Sequence, residues 1–413
     1  SMSSDHPSHG FGTRAIKAAT RAPRVEQHPA AVPIYQSATF HAQSVADYAE
    51  LVGFEKPGYT YARLENPTAD AMAGAFAELH GAEAGFAFGS GMGAIHAALV
   101  ALVGAGDRIV CTQAVYGSTR ALMERVLAPL GVETVFVDPL DLAAVEAALA
   151  VDRTHVLYAE TISNPTIVVA DVARLAELGH RHGATVVVDN TFASPYLCRP
   201  LELGADVVVE SATKWLSGHS DVIAGAVAGS REFIDHVRDV AIDTGGIVAP
   251  LSAFLVLRGM QTLHVRMDRH SASALAVAEQ LERSVGGGRV TYPGLPSHPQ
   301  AVVAQRQLRS GGGMLAVDLG SRDAAAAFID GLNIPPVTAT LGSVVTYAVH
   351  PPTATHRQLD EAQLAAAGIP PGMVRISVGL EDVDDLLADM ANALAEVARA
   401  TQAAASTGVG LGA

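Results

Sequence analysis

Between Asp107 and Val227 short apolar runs alternate with amphipathic stretches. Runs rich in Val and Ile predict strands at Arg108–Cys111, Glu133–Val137, Thr154–Glu160, Thr185–Val188 and Asp206–Val209. Between them, apolar positions at helical spacing predict helices over Gly117–Leu127, Leu142–Leu149 and Val172–Arg181. Continuous apolar runs, unlike alternating ones, belong to strands covered on both faces. The pattern predicts an α/β fold with a mainly parallel sheet between two helical layers. Upstream, Phe86–Phe88 reads as a strand, Gly89–Gly93 as a tight turn and Ala94–Leu102 as a helix. Asn66-Pro67-Thr68 is a helix start, opening a helix over Ala69–Leu79. Before Thr60 there is little sustained periodicity, and Pro33 keeps Ala31–Phe40 extended.

After Val227 the pattern changes. Arg231–Val240 is a charged amphipathic helix, and Pro250–Glu282 is one long helix or two. Strands near Met314–Leu319, Thr346–Val349 and Val374–Val378 predict a second, smaller α/β domain, closed by a helix over Val383–Ala400. The triple glycines at Gly286–Gly288 and Gly311–Gly313 read as turns without a ligand. The expected organisation is an N-terminal arm (1–62), a large domain (63–260), a small C-terminal domain (261–400) and a disordered tail (401–413). An arm this long needs something to pack on, and we expect it on a neighbouring subunit.

Chemistry enters where the apolar runs stop. In ADVVVESATKWLSGHSD (Ala205–Asp221) the run Val207–Val209 passes through Glu210 into hydroxyls around Lys214. A buried amine is costly unless its charge is satisfied or abolished. A Schiff base with a carbonyl cofactor abolishes it. The strand before it, Thr185–Val188, ends in Asp189. Open α/β sheets bind ligands at these strand ends. A Lys to hold an aldehyde and a carboxylate to keep a pyridine nitrogen protonated are what pyridoxal phosphate requires. The alternative is a buried Asp189–Lys214 ion pair without chemistry.

The Gly89–Gly93 turn ahead of a helix suits an anion, so we read it as a phosphate cup. It also fits G-x-G-x-x-A, which keeps a dinucleotide site as a rival. That fingerprint wants an acidic residue at the end of the following strand, whereas Asp107 stands at its start. Ser90, Tyr116, Asn164, Asp189 and Lys214 are expected to converge on one rim.

Composition narrows the partners. At 413 residues and 49% hydrophobic, the chain can bury a large interior. A formal charge of −15 disfavours nucleic acid and anionic membranes. Gly85–Gly106 lacks charge, but its glycines and length read as strand, turn and helix, not as a membrane span. Cys111 and Cys198 read as reduced core residues of a cytoplasmic protein. No signal peptide is visible, and Ser1–Met2 reads as a remnant ahead of the natural start. His96 and His219 are taken as structural, and no His/Cys/Asp spacing suits a metal.

Several stretches together resemble the Cys/Met-metabolism family of pyridoxal phosphate enzymes, fold type I. They are YARLENPT (Tyr61–Thr68), SGMGAI (Ser90–Ile95), VVVDNTF (Val186–Phe192), SATKWLSGHSD (Ser211–Asp221), YPGLPSHPQ (Tyr292–Gln300) and VRISVGLED (Val374–Asp382). The resemblance runs from about Phe11 to about Ala400, and LHVRMDRH and RISVGLEDVDDLLAD look most like its methionine γ-lyases. It implies a fold type I transferase-like architecture and these roles. Lys214 carries the cofactor and then shuttles protons. Asp189 pairs with the pyridinium nitrogen. Tyr116 stacks on the ring and acts as acid toward the leaving sulfur. Ser90, Gly91, Met92, Asn164, Ser211 and Thr213 complete the cofactor site. Tyr61 and Arg63 reach the phosphate of the adjacent subunit, within a homotetramer built as a dimer of dimers. Arg375 grips the substrate carboxylate, with Thr340 and Ser118 on the substrate side.

The implied activity is α,γ-elimination of L-methionine to methanethiol, 2-oxobutanoate and ammonia. The alternatives are an O-acylhomoserine sulfhydrylase or cystathionine γ-lyase or γ-synthase chemistry. Outside the family stand a nicotinamide-dependent oxidoreductase and a non-catalytic scaffold. Relatives that handle cystathionine often carry charged residues where this chain has Thr60, Ala121 and Ala339, and serine where it has Thr340. Neutral residues there give a second charged amino-acid group no partner, which favours a small apolar thioether. Ser118 stands where methionine γ-lyases have cysteine, and Trp215 where tyrosine is usual.

Overall fold

In the computed structural model, which describes residues 9–21, 29–113, 115–357 and 359–406, the apolar runs pair into two sheets. The larger contains β1 (Ala84–Phe88), β2 (Arg108–Thr112), β3 (Glu133–Val137), β4 (Thr154–Glu160), β5 (Thr185–Asp189), β6 (Val207–Glu210) and β7 (Gly225–Gly229). Its order is β1-β7-β6-β5-β4-β2-β3. Strands β6, β5, β4, β2 and β3 are parallel, and β7 runs against both neighbours, β1 and β6. Side chains leave successive residues toward opposite faces. Thus Val186 and Val188 pack toward helix Val172–Arg181, while Val187, Val207 and Val209 join the cluster around helix Gly91–Val100.

The smaller sheet holds β8 (Val290–Thr291), β9 (Met314–Asp318), β10 (Tyr347–Val349) and β11 (Met373–Ser377), antiparallel in the order β10-β11-β9-β8. Helices Leu263–Val285 and Val383–Ser406 cover it, with Val277, Leu281, Phe328, Leu386 and Met390 buried between. The closing helix therefore continues past the expected end at Ala400, and residues 407–413 lie outside the described part.

Local signals place the helices. Asn66 caps helix Pro67–His80 by accepting from Thr68 N–H at 2.9 Å, and Gly81 ends it in the left-handed region at φ 70°. The Pro250–Glu282 stretch resolves into two helices, Pro250–Met260 and Leu263–Val285. Gly117–Leu127 is helical, but its second half, Met123–Leu127, is a π turn.

The weak periodicity before Thr60 hides two helices, Phe11–Ala19 and Val45–Val52. The first buries Ala15, Ala18 and Ala19, an alanine stripe that carries little hydrophobic signal, against Pro67–His80, Pro250–Met260 and Leu263–Val285 of its own chain. The second buries nothing. Strand β7 was also invisible, because GAVAG is too small and glycine-rich to read as a strand. Cys111 and Cys198 are buried and unpaired. No helix among the described residues is long and apolar enough to cross a membrane.

Candidate active site

The C-terminal ends of β4, β5 and β6 each deliver a buried carboxyl: Glu160, Asp189 and Glu210. Glu160 and Asp189 are direct neighbours in register. At this rim lies a cavity of about 290 Å³. Ser90, Gly91, Met92, Tyr116, Asn164, Asp189, Ser211, Thr213, Lys214 and Arg375 line it together. The expected rim residues therefore converge, and Arg375 joins them from β11 of the smaller sheet.

Lys214 and Asp189 do not pair. No ion pair involves either among the described residues, and Lys214 Nζ donates to Thr340 Oγ1 at 3.3 Å. This removes the ion-pair alternative. Burial, and then the nearby Arg375 charge, lower the Lys214 amine to about 8. Asp189 accepts from Thr191 N–H at 2.9 Å and from Tyr158 O–H at 3.3 Å. Burial pushes its carboxyl above the ordinary range, against those hydrogen bonds. A buried carboxyl without a cation is a receptor for a protonated nitrogen.

At the other end, Ser90 caps helix Gly91–Val100 by accepting from Gly93 N–H at 3.0 Å. A Cβ on Gly91 would lie 2.8 Å from Ser211 Cβ, and one on Gly225 would lie 2.2 Å from Ser90 O. Only glycines let these segments close into a cradle at a helix N-terminus, which suits a phosphate. The Thr213 hydroxyl is engaged with Ala224, donating to its carbonyl at 3.2 Å and accepting from its N–H at 3.0 Å. To bond an anion, its O–H must turn away from that carbonyl.

On the side facing the smaller sheet the cavity is organised by Arg375, which is 1% exposed. Its Nη1 donates to Asn164 Oδ1 at 2.7 Å, and its Nη2 to Ala339 O at 2.8 Å and Thr340 O at 3.3 Å. Its Nε is buried without a partner. Thr340 thus sits between Lys214 and Arg375. Tyr61, Arg63 and Ser118 are not part of the cavity wall formed by one chain. Arg63 donates to Ile242 O and lies over the Tyr61 ring at 5.4 Å. Ser118 sits in helix Gly117–Leu122, just beyond Tyr116.

Sequence reasoning assigned no role to three residues that brace this site. Arg266, 4% exposed, donates to the carbonyls of Trp215 and Gly259, each at 2.7 Å, and so fixes the loop after Lys214. Glu210 meets His80 Nε2 and accepts from Asn190 Nδ2, both at 2.9 Å. Burial drives the His80 imidazole down to about 3, so it is neutral there. Glu160 also lines the cavity. Glu160 and Glu210 close their apolar runs as Asp189 does, so the signal that picked Asp189 marks them too.

An unpaired buried carboxyl, a deprotonation-prone lysine and a glycine cradle at a helix N-terminus, on one rim of a mainly parallel sheet, fit pyridoxal phosphate. They define a fold type I enzyme dependent on that cofactor. Residues 12–395 match the sequence profile described as Cys/Met metabolism PLP-dependent enzyme, and the chain belongs to that family. It is 43% identical over 390 residues to an L-methionine gamma-lyase of Pseudomonas putida, covering 93% of this chain and 97% of that one. It is 40% identical over 395 residues to an O-succinylhomoserine sulfhydrylase of Pseudomonas aeruginosa, covering 95% and 97%. The crystal structure of cystathionine gamma synthase from Xanthomonas oryzae, in complex with aminoacrylate and cysteine, superposes with a TM-score of 0.88. It is 33% identical, with 95% of this chain and all of that one covered. The protein is a pyridoxal phosphate-dependent enzyme of a carbon–sulfur lyase and synthase family.

Proposed function

We propose that the enzyme eliminates the γ-thiol of L-methionine, giving methanethiol, 2-oxobutanoate and ammonia with uptake of one water. One observation carries this reading. Among the described residues of one chain, the cavity wall holds a single guanidinium, Arg375, and no cation besides it and Lys214. Ile95, Ile162, Phe192, Ile223 and Leu341 add apolar wall beside the hydroxyls of Thr191 and Thr355 and the Glu160 carboxyl. One α-carboxylate finds a partner there. A second charged group, as in cystathionine or a succinyl ester, would find no partner on the described wall of this chain.

Pyridoxal phosphate supplies an electron sink for charge developed at Cα. The chain's residues do the remainder. Arg375 binds the carboxylate, held in aim by Asn164 and the Ala339 carbonyl. Asp189 keeps the pyridine nitrogen protonated. Gly91, Met92, Ser90 and Ser211 hold the phosphate. Lys214 Nζ takes the Cα proton, a Cβ proton is then lost so that its electron pair expels the sulfur from Cγ, and Tyr116 Oη delivers a proton to the departing sulfur. We further propose that Tyr61 and Arg63 complete the phosphate site of an adjacent subunit, in a dimer of dimers. Reduced, buried Cys111 and Cys198 support a cytoplasmic setting.

A sulfhydrylase is the second reading. It is favoured by Ser118, where methionine γ-lyases carry cysteine, and by the similar identity to the Pseudomonas aeruginosa relative. The holoenzyme is assayed with L-methionine alone, and with O-acetyl- or O-succinylhomoserine plus sulfide. Methanethiol and 2-oxobutanoate from methionine are expected. Homocysteine from the acyl esters, with nothing from methionine, would reverse the assignment.

A further inference from the structure

Glu160 stands at the end of β4 on the cavity wall, 6% exposed, with no ion pair among the described residues. Its Oε1 accepts the Tyr116 backbone N–H at 2.5 Å. Asn164 stands four residues further on, in the loop that leaves β4 at Glu160. Tyr116 is the N-cap of helix Gly117–Leu122 and has no side-chain cap bond of its own. Asn164 in turn receives Arg375 Nη1 at 2.7 Å. One carboxyl therefore ties the Tyr116 loop to the end of β4, from which the Asn164 loop leaves. One loop presents the phenol, and the other aims the guanidinium that arrives from the second sheet.

We infer that Glu160 is a positioning residue that sets the distance between the Tyr116 acid and the Asn164–Arg375 carboxylate clamp. The inference rests on the roles proposed above for Tyr116 and Arg375. An amino acid gripped at its carboxylate must place its γ-leaving group under the phenol, so the separation of the two anchors matters. A misplacement of about 1 Å costs on the order of 100-fold in rate. Glu160 does this as a hydrogen-bond acceptor, not as a counter-ion. Burial, and then the facing Asp189, hold its carboxyl well above the ordinary range. An amide keeps the acceptor oxygen, whereas a thioether of similar volume removes it.

The test compares Glu160→Gln and Glu160→Met holoenzymes with wild type, on whichever amino-acid substrate the wild type turns over. E160Q is expected within about threefold of wild type in kcat and KM. E160M is expected to raise KM and lower kcat together, with kcat/KM down by about 10- to 100-fold. Amide hydrogen exchange on the apoenzyme gives a readout independent of turnover. The Tyr116 amide should exchange faster in E160M and as wild type in E160Q. Should E160M not fold, Glu160→Ser carries the same expectation. Wild-type kinetics and exchange in E160M, or equal losses in E160Q and E160M, would overturn the inference. If methionine is not the substrate, the assignment of the reaction fails while the exchange result stands.

Discussion

The residue on which the proposed chemistry turns is Lys214, and its environment makes a specific demand on its proton. Burial and the Arg375 charge lower its amine from the ordinary 10.5 to about 8. Only the neutral amine is a nucleophile. In the apoenzyme, labelling of Lys214 by a small amine-directed reagent should therefore be half-maximal near pH 8, read from the modified peptide by mass spectrometry. A midpoint near 10.5 would show that the side chain is fully solvated. The same shift has a sign for stability. The folded state loses this proton before the unfolded chain does. Between about 8 and 10.5 unfolding takes a proton up, and stability from this group rises with pH. Lys214→Met removes that dependence. The variant's advantage in apoenzyme melting temperature should be largest below pH 8 and shrink toward pH 10.5.

At the scale of elements, the sequence told most where side chains were large. The valine runs of β5 and β6, and the polar residues that end them, exposed both the parallel sheet and its functional rim. What stayed hidden is built from small residues. Helix Phe11–Ala19 packs through alanines, and β7 is GAVAG, so neither carries a hydrophobic pattern. Arg375 was legible through its resemblance to a motif, but its grip on Asn164 and Ala339 depends on how two sheets dock, which no local spacing encodes. Strand β7 yields a prediction of its own. A methyl on Gly225 would meet Ser90 O at 2.2 Å and Gly91 Cα at 2.7 Å. Both neighbours are backbone, so Gly225→Ala must push outward the helix start that we propose holds the phosphate. Overpacking of this kind destabilises by about 1–3 kcal/mol. The apoenzyme variant should bind pyridoxal phosphate at least about tenfold more weakly by absorbance titration, with unchanged far-UV circular dichroism. Gly287→Ala, where an added methyl meets nothing within 4 Å, is the control and should leave cofactor affinity unaltered.

For the whole molecule, the question is whether one chain makes a complete site. Tyr116 is 41% exposed and Ile223 67% exposed on the cavity wall, which leaves its mouth open. Helix Val45–Val52 buries none of its residues and presents Val45 at 90% exposure, with Tyr48 and Phe54 also exposed. Apolar surface of this kind calls for a cover. The arm that bears it also leads to Tyr61 and Arg63, which lie outside their own chain's cavity. A second copy answers all three features if the arms are exchanged across a two-fold axis, since such an interface is reciprocal. Mixing two inactive variants, Lys214→Ala and Arg63→Ala, tests this. After reversible dissociation and reassembly, half of the dimers are hybrids. If Arg63 serves the partner's site, each hybrid has one intact site and one doubly defective site. The mixture should then recover about a quarter of wild-type activity. If Arg63 serves its own chain, every site in the hybrid carries one lesion and nothing is recovered. Residual activity of Arg63→Ala alone sets the baseline. Recovery above it requires the guanidinium of one chain to act beside the lysine of another.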